Sequence, residues 1–155
     1  STDTTADDTN AIGHGISLSH GLAINEIVSS EIGLGFGVSE AVDGTNDVAT
    51  YDFSYRFNFA LPWAYISVGE ALSFNDYYHI DTSTDSNRIR SDYTNTFDIM
   101  MIKALGEIIP ALDPNKEISL TISYEKLFSE ANIINYDYIS DSISLGISKS
   151  IHLNK

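Results

Sequence analysis

From Tyr51 to Leu61 the chain alternates apolar and polar residues with hardly a fault. Successive side chains of a strand point to opposite faces. Tyr51, Phe53, Tyr55, Phe57, Phe59 and Leu61 therefore share one face, and Asp52, Ser54, Arg56, Asn58 and Ala60 share the other. A helix would scatter these rings around its circumference, whereas a strand collects them into a wall about 30 Å long at roughly 3.3 Å per residue. The fold question becomes what covers that wall.

The same period of two recurs along the chain. Ile12, His14, Ile16, Leu18, His20, Leu22 and Ile24 alternate with Gly and Ser, and Asn25-Glu26 reads as a tight turn. Val28, Ile32, Leu34, Phe36 and Val38 mark a second strand, closed by the turn residues 43–47. Pro62 ends the aromatic strand because it has no N–H to give a ladder. A fourth strand then runs from Trp63 to Asn75, with Glu70 out of place on its apolar side. Residues 76–92 are polar and read as a long exposed loop. Tyr93 to Leu105 is a fifth strand, with Met100 and Ile102 on the side opposite Phe97, Ile99 and Met101. Residues 106–116, with Pro110 and Pro114, read as a connection. Ile118 to Phe128 is a sixth strand and Ile139 to Ile151 a seventh, with residues 130–135 turning the chain between them. No stretch carries a convincing amphipathic helical pattern. Residues 1–11 are expected to form a flexible lead and 12–155 a single β domain.

Composition narrows the environment. The net charge of −14, with only 8 Lys and Arg among 155 residues, argues against nucleic acid, whose phosphates need clustered cations. The chain has no cysteine, so a disulfide framework and a thiolate metal site are both impossible. No run approaches the ~20 apolar residues of a membrane helix. A membrane barrel stays open, since its signal is alternation rather than bulk hydropathy.

Regular alternation over this many strands leaves two economical all-β folds. One is an antiparallel up-and-down transmembrane β-barrel of about seven or eight strands with apolar faces outward. The alternative is a secreted β-sandwich with apolar faces inward. Strand length favours the barrel, because the alternations persist beyond the ~5–6 residues usual in soluble sheets. Trp63, Tyr65, Tyr77, Tyr78, Tyr93, Tyr136 and Tyr138 lie near strand ends and read as aromatic girdles at the two membrane interfaces. Short connections at Asn25-Glu26 and Pro62-Trp63 share one end, and the long 76–92 segment lies at the other.

Arg90-Ser91-Asp92 before a strand, Ile118 to Tyr124, Asn132 to Tyr138 and Ser142 to Ser148 together resemble the C-terminal strands of Gram-negative outer-membrane β-barrels. The pattern is most similar to barrels of surface export and exopolysaccharide secretion proteins. That resemblance implies an outer-membrane location and a role as pore, export conduit or anchor, without catalysis. Barrels of this kind usually finish on an aromatic residue, whereas the last residues here are Ile151-His152-Leu153-Asn154-Lys155. They also have an even number of strands in bacterial single chains, so an eighth would come from the N-terminal lead, from residues 106–112 or from another chain. The sandwich alternative implies a secreted fibre or surface subunit completed by a neighbour's strand.

The face of small residues carries few charges: Glu31, Asp52, Arg56, Asp98 and Glu125. In a barrel these form a lumen network around Arg56, since an unpaired charge there is costly. His14 and His20 share a face with Ile16, Leu18 and Leu22, without a carboxylate beside them, so no nucleophile–base arrangement is expected. Asp81, Ser83, Asp85, Asn87 and Asp92 imitate the oxygen spacing of a calcium loop, but Ser86 stands where a turning Gly belongs. Weakly bound calcium is the one cofactor this suggests. The partners expected are the lipid bilayer, further copies of the chain or another chain supplying a strand.

Overall fold

The computed structural model describes residues 11–41, 47–80, 89–133 and 137–149. These residues form one sheet of seven antiparallel strands in chain order: β1 (Ala11–Ala23), β2 (Val28–Ala41), β3 (Val48–Leu61), β4 (Ala64–Ile80), β5 (Ile89–Ala104), β6 (Ile118–Ala131) and β7 (Tyr138–Lys149). The all-β, up-and-down expectation and its seven strands are observed. A single helical turn, α1 (Leu105–Ile108), lies between β5 and β6. No pairing joins β7 back to β1 among the described residues.

The turns follow from local chemistry. Asn25 Oδ1 accepts hydrogen bonds from the N–H groups of Ile27 and Val28, both at 2.8 Å, which folds the chain back into β2. Pro62 and Trp63 alone separate Leu61 from its register partner Ala64. Between α1 and β6, Asp113 accepts from the N–H groups of Glu117 and Ile118, each at 2.9 Å. Gly106 makes room for that node, because a Cβ there would stand 2.0 Å from the Asp113 carbonyl oxygen.

The described part of the expected loop over 76–92 is strand. β4 continues to Ile80 and β5 begins at Ile89, with the register slipping between Asp76 and Ile80. Polar residues pair here in place of apolar ones: Ser91 Oγ donates to Asp76 Oδ1 at 2.8 Å, and Arg90 pairs with Asp92. Hydrophobic alternation therefore ends before the ladder does. Residues 81–88 lie outside the described residues.

Register partners share a face, so the pairings define two sides. One collects the large apolar side chains and the other the Ser, Gly and polar residues, as the alternation predicts. In the central strands the large residues are the less covered ones, Phe57 being 41% exposed and Ser67 on the opposite face 1%, whereas β7 is exposed on both faces. Buried apolar residues among those described are Ala49, Ala64 and Ile133. The described residues contain one sheet and no second layer over the aromatic wall. Shelter on the side of the smallest side chains is what a sheet curling toward that side produces.

Candidate functional site

Following the register across the sheet, Gly21, Glu31, Arg56, Gly69, Asp98, Glu125 and Ser142 fall in one row on the face of small residues. Four of the five charges expected around a lumen thus share a single cross-strand line. Its core is a two-pronged ion pair: Arg56 Nη1 donates to Asp98 Oδ2 at 2.8 Å and Nη2 to Asp98 Oδ1 at 2.7 Å. Arg56 Nη1 also donates to Ser67 Oγ at 2.9 Å. Arg56 and Asp98 sit on β3 and β5, with β4 between them. They meet because the intervening residue is Gly69, where a Cβ would lie 2.9 Å from both Arg56 Nη2 and Asp98 Oδ1.

Glu31 is the register partner of Arg56 and Glu125 that of Asp98, so the row carries one cation against three carboxylates. Asp52 lies outside this row, opposite Gly35 and Ser73, with its carboxylate against Gly35. Asn58, one register step toward the short turn, keeps a buried Oδ1 that has no hydrogen-bond partner among the described residues. Met100 lies in the same row as Asn58, and further toward that end the face is filled by Tyr65 and Ile102. The resulting surface is polar, net acidic and braced across three strands.

A second pair occupies the same face nearer the long connections. Arg90 Nε and Nη2 donate to Asp92 at 2.8 and 2.5 Å, and the guanidinium carbon lies 4.8 Å from the Tyr77 ring centroid. Asp92, the last residue of the expected calcium loop, lies in β5, where its carboxylate is buried and engaged by Arg90. Asp81, Ser83, Asp85 and Asn87 lie outside the described residues. Among the described residues, no group of three or more His, Asp and Glu is placed to hold a metal ion. The i, i+2 spacing of Arg90 and Asp92 was the available signal for this pair, and it is hidden once the segment is read as loop.

The girdle residues divide by face. Tyr93 packs on Phe74 on the apolar side at 5.0 Å between ring centroids, Tyr78 is exposed, and Trp63 sits in the β3–β4 turn with Lys103 Nζ at 5.6 Å from its ring centroid. Tyr65, Tyr77 and Tyr138 instead pair with Ile102, Val48 and Ser129 on the face of small residues. Nearness to a strand end places an aromatic at a given level, but parity decides which side it faces, and these three have the parity of the small residues. Tyr136 lies outside the described residues.

Glu70 is also explained. It stands on the apolar face, where the Tyr55 hydroxyl donates to its Oε2 and Asn95 Nδ2 donates to Oε1 at 2.7 Å. Farther along that face the Tyr124 hydroxyl donates to Asp141 Oδ1 at 2.6 Å. The carboxylate that breaks the alternation in β4 is thus hydrogen-bonded by its neighbours on both sides. His14 and His20 face the same side, opposite Val38 and Ile32, as their alternation implies.

Comparison with known proteins finds no matching family model, no matching curated protein and no matching solved structure, so function is argued from this geometry.

Proposed function

We propose that this chain forms the membrane-spanning wall of an outer-membrane β-barrel, serving as a pore, export conduit or anchor rather than as an enzyme. The observation that carries the reading is the inversion of burial in the middle of the sheet: Phe53, Tyr55, Phe57 and Phe97 on the apolar face are exposed, while Ser67, Ser129 and Asp92 on the other face are buried. A water-soluble sheet shelters its apolar side, and a contiguous apolar face of this size calls for a non-aqueous neighbour. Strand length agrees. The 14 residues of β3, tilted by about 45°, reach roughly 30 Å along a membrane normal, enough for the ~25 Å apolar band of such barrels. The charged row would then line or brace the interior, and its acidic excess favours cations over anions.

A second reading is a secreted β subunit whose apolar face is covered by a neighbouring protein. What favours it is the polar interruption of that face by Glu70, Asn95, Lys126 and Asp141.

Detergent dependence separates the two. The barrel reading expects the chain to fold in micelles, to partition with detergent and to migrate faster unheated than boiled on a denaturing gel. A chain that is folded and monodisperse in plain buffer, with no heat-dependent shift, overturns it.

A further inference from the structure

The apolar face is bounded by charges of opposite sign at its two ends. Lys103 and Lys149 have its parity at the end that carries the Asn25 and Pro62 turns, opposite Leu120 and Ile118. At the other end the same parity belongs to Glu40, Asp76 and Glu130, opposite Ile12, Ala49 and Tyr93. Two ion pairs lie at the lysine end: Lys116 Nζ is 3.0 Å from Glu107 and Lys149 Nζ is 3.9 Å from Glu117. Lys103 is in neither, and it stands outside any ion pair among the described residues.

Its contact is an aromatic one. Lys103 Nζ lies 5.6 Å from the centroid of the Trp63 ring, and Trp63 is 50% exposed. An indole face attracts the ammonium charge without taking the place of an anion, so the three N–H donors still call for oxygen acceptors. Just past β5 the connection exposes Ile108, Ile109 and Leu112, which continues the apolar surface beyond the last strand residues at this end. A cation backed by indole at the margin of an exposed apolar wall fits an anion that its own hydrocarbon tails hold at that level. The lysine stem follows the apolar surface while its head reaches the polar layer, and the ring suits the boundary between the two.

We infer that Lys103 and Trp63 bind the phosphate of an anionic phospholipid, the ammonium taking the headgroup oxygens and the indole seating where headgroup meets acyl chain. The inference rests on the membrane reading, because it needs the apolar wall to be against lipid. The net charge of −14 repels an anionic surface as a whole. At physiological salt, however, charges beyond about 8 Å are largely screened, so the local cation decides which lipid sits beside Trp63.

Trp63 is the one tryptophan of the chain, so its fluorescence reports on this place alone. The chain is folded into vesicles of equal parts phosphatidylcholine and phosphatidylglycerol, with bromine on the acyl chains of one lipid or of the other. Composition is then constant and only the quenching label moves. Brominated phosphatidylglycerol should quench Trp63 more, with a relative association about fivefold in its favour, and the excess should shrink as salt is raised to about 1 M. Lys103→Gln should bring the two lipids to parity and Lys103→Arg should keep the preference. Lys126→Gln, which removes the same charge opposite Phe97 on the same face, should keep it too. Equal quenching in the native chain, a comparison that needs no variant to fold, overturns the inference while the membrane reading stands. So does a preference that Lys103→Gln retains or that Lys126→Gln abolishes as fully. Quenching by neither lipid overturns it as well, and if the chain is also folded in plain buffer the membrane reading goes with it.

Discussion

Arg56 and Asp98 are joined through two hydrogen bonds of 2.8 and 2.7 Å although a whole strand lies between them. Gly69 is the reason: its missing side chain leaves a slot across β4 through which the guanidinium reaches. The pair ties β3 to β5 directly, with Glu31 and Glu125 flanking it in the row and outside any ion pair among the described residues.

Gly69→Ala should therefore behave as a mutation of the ion pair. A Cβ would meet both charged tips at 2.9 Å and push them apart. The side chains of Arg56 and Asp98 are 38% and 25% exposed, so solvent screens the pair and Arg56→Ala is expected to cost on the order of 1 kcal/mol. Gly69→Ala should cost a similar amount alone and almost nothing in the Arg56→Ala background. Urea unfolding of the four proteins of this cycle, in micelles, checks it; additive costs would mean that the two residues act separately.

The apolar face offers a direct test of its surroundings. Phe53, near the middle of β3, is 37% exposed on that face. Phe53→Arg should destabilise the membrane-folded state by about 2–4 kcal/mol if the residue lies near the bilayer midplane. If water bathes that face, the change should be small, within about 0.5 kcal/mol. Equilibrium folding into lipid vesicles distinguishes these outcomes.

Glu70 yields a prediction of opposite sign. Its carboxylate and its two donors, Tyr55 and Asn95, make a polar notch in the apolar wall. Against hydrocarbon a carboxylate is costly, so the double variant Tyr55→Phe/Glu70→Leu, which removes the charge together with the hydroxyl that serves it, should unfold at a higher temperature in the heated-gel assay. A lower temperature would point to a protein neighbour docked on the notch.

Asp113 provides a pH-dependent element outside the strands. Burial pushes its carboxyl pKa up, but hydrogen bonds from the backbone N–H groups of Ile118, Glu117 and Gly106 outweigh this and hold it below the ordinary 3.8. A group with a depressed folded-state pKa contributes stability above its unfolded value and loses it as pH falls through the folded one. The Glu117 and Ile118 amides should thus stay protected above pH 3.8 and lose protection progressively at lower pH. In Asp113→Asn the protection should be weaker at neutral pH and show no transition in that acid range. Amide exchange measured across the acid range reads both.

Much of this architecture is legible residue by residue. The alternation in β3 assigns Tyr51 through Leu61 to their faces, and the turn chemistry of Asn25 and Pro62 marks two strand ends. The β4–β5 extension is not legible, because Asp76, Arg90, Ser91 and Asp92 hold the ladder with polar contacts that resemble loop composition. Tyr65, Tyr77 and Tyr138 show a related limit: their level along a strand is readable, but their side depends on a parity that irregular strand ends obscure.

The amino-acid sequence by itself determined which side chains share a face, because a strand repeats every two residues whatever it pairs with. Only the tertiary structure decided the register. Sliding one strand past another by two residues preserves every face but changes every neighbour, so alternation alone cannot align Glu31, Arg56, Asp98 and Glu125 in one row. Turn lengths set that alignment, and Gly69 then lets charges on non-adjacent strands touch. That β1 and β7 are the edges of the sheet among the described residues is likewise a property of the assembled sheet, since hydrogen bonding between strands is visible only once every strand has its neighbours.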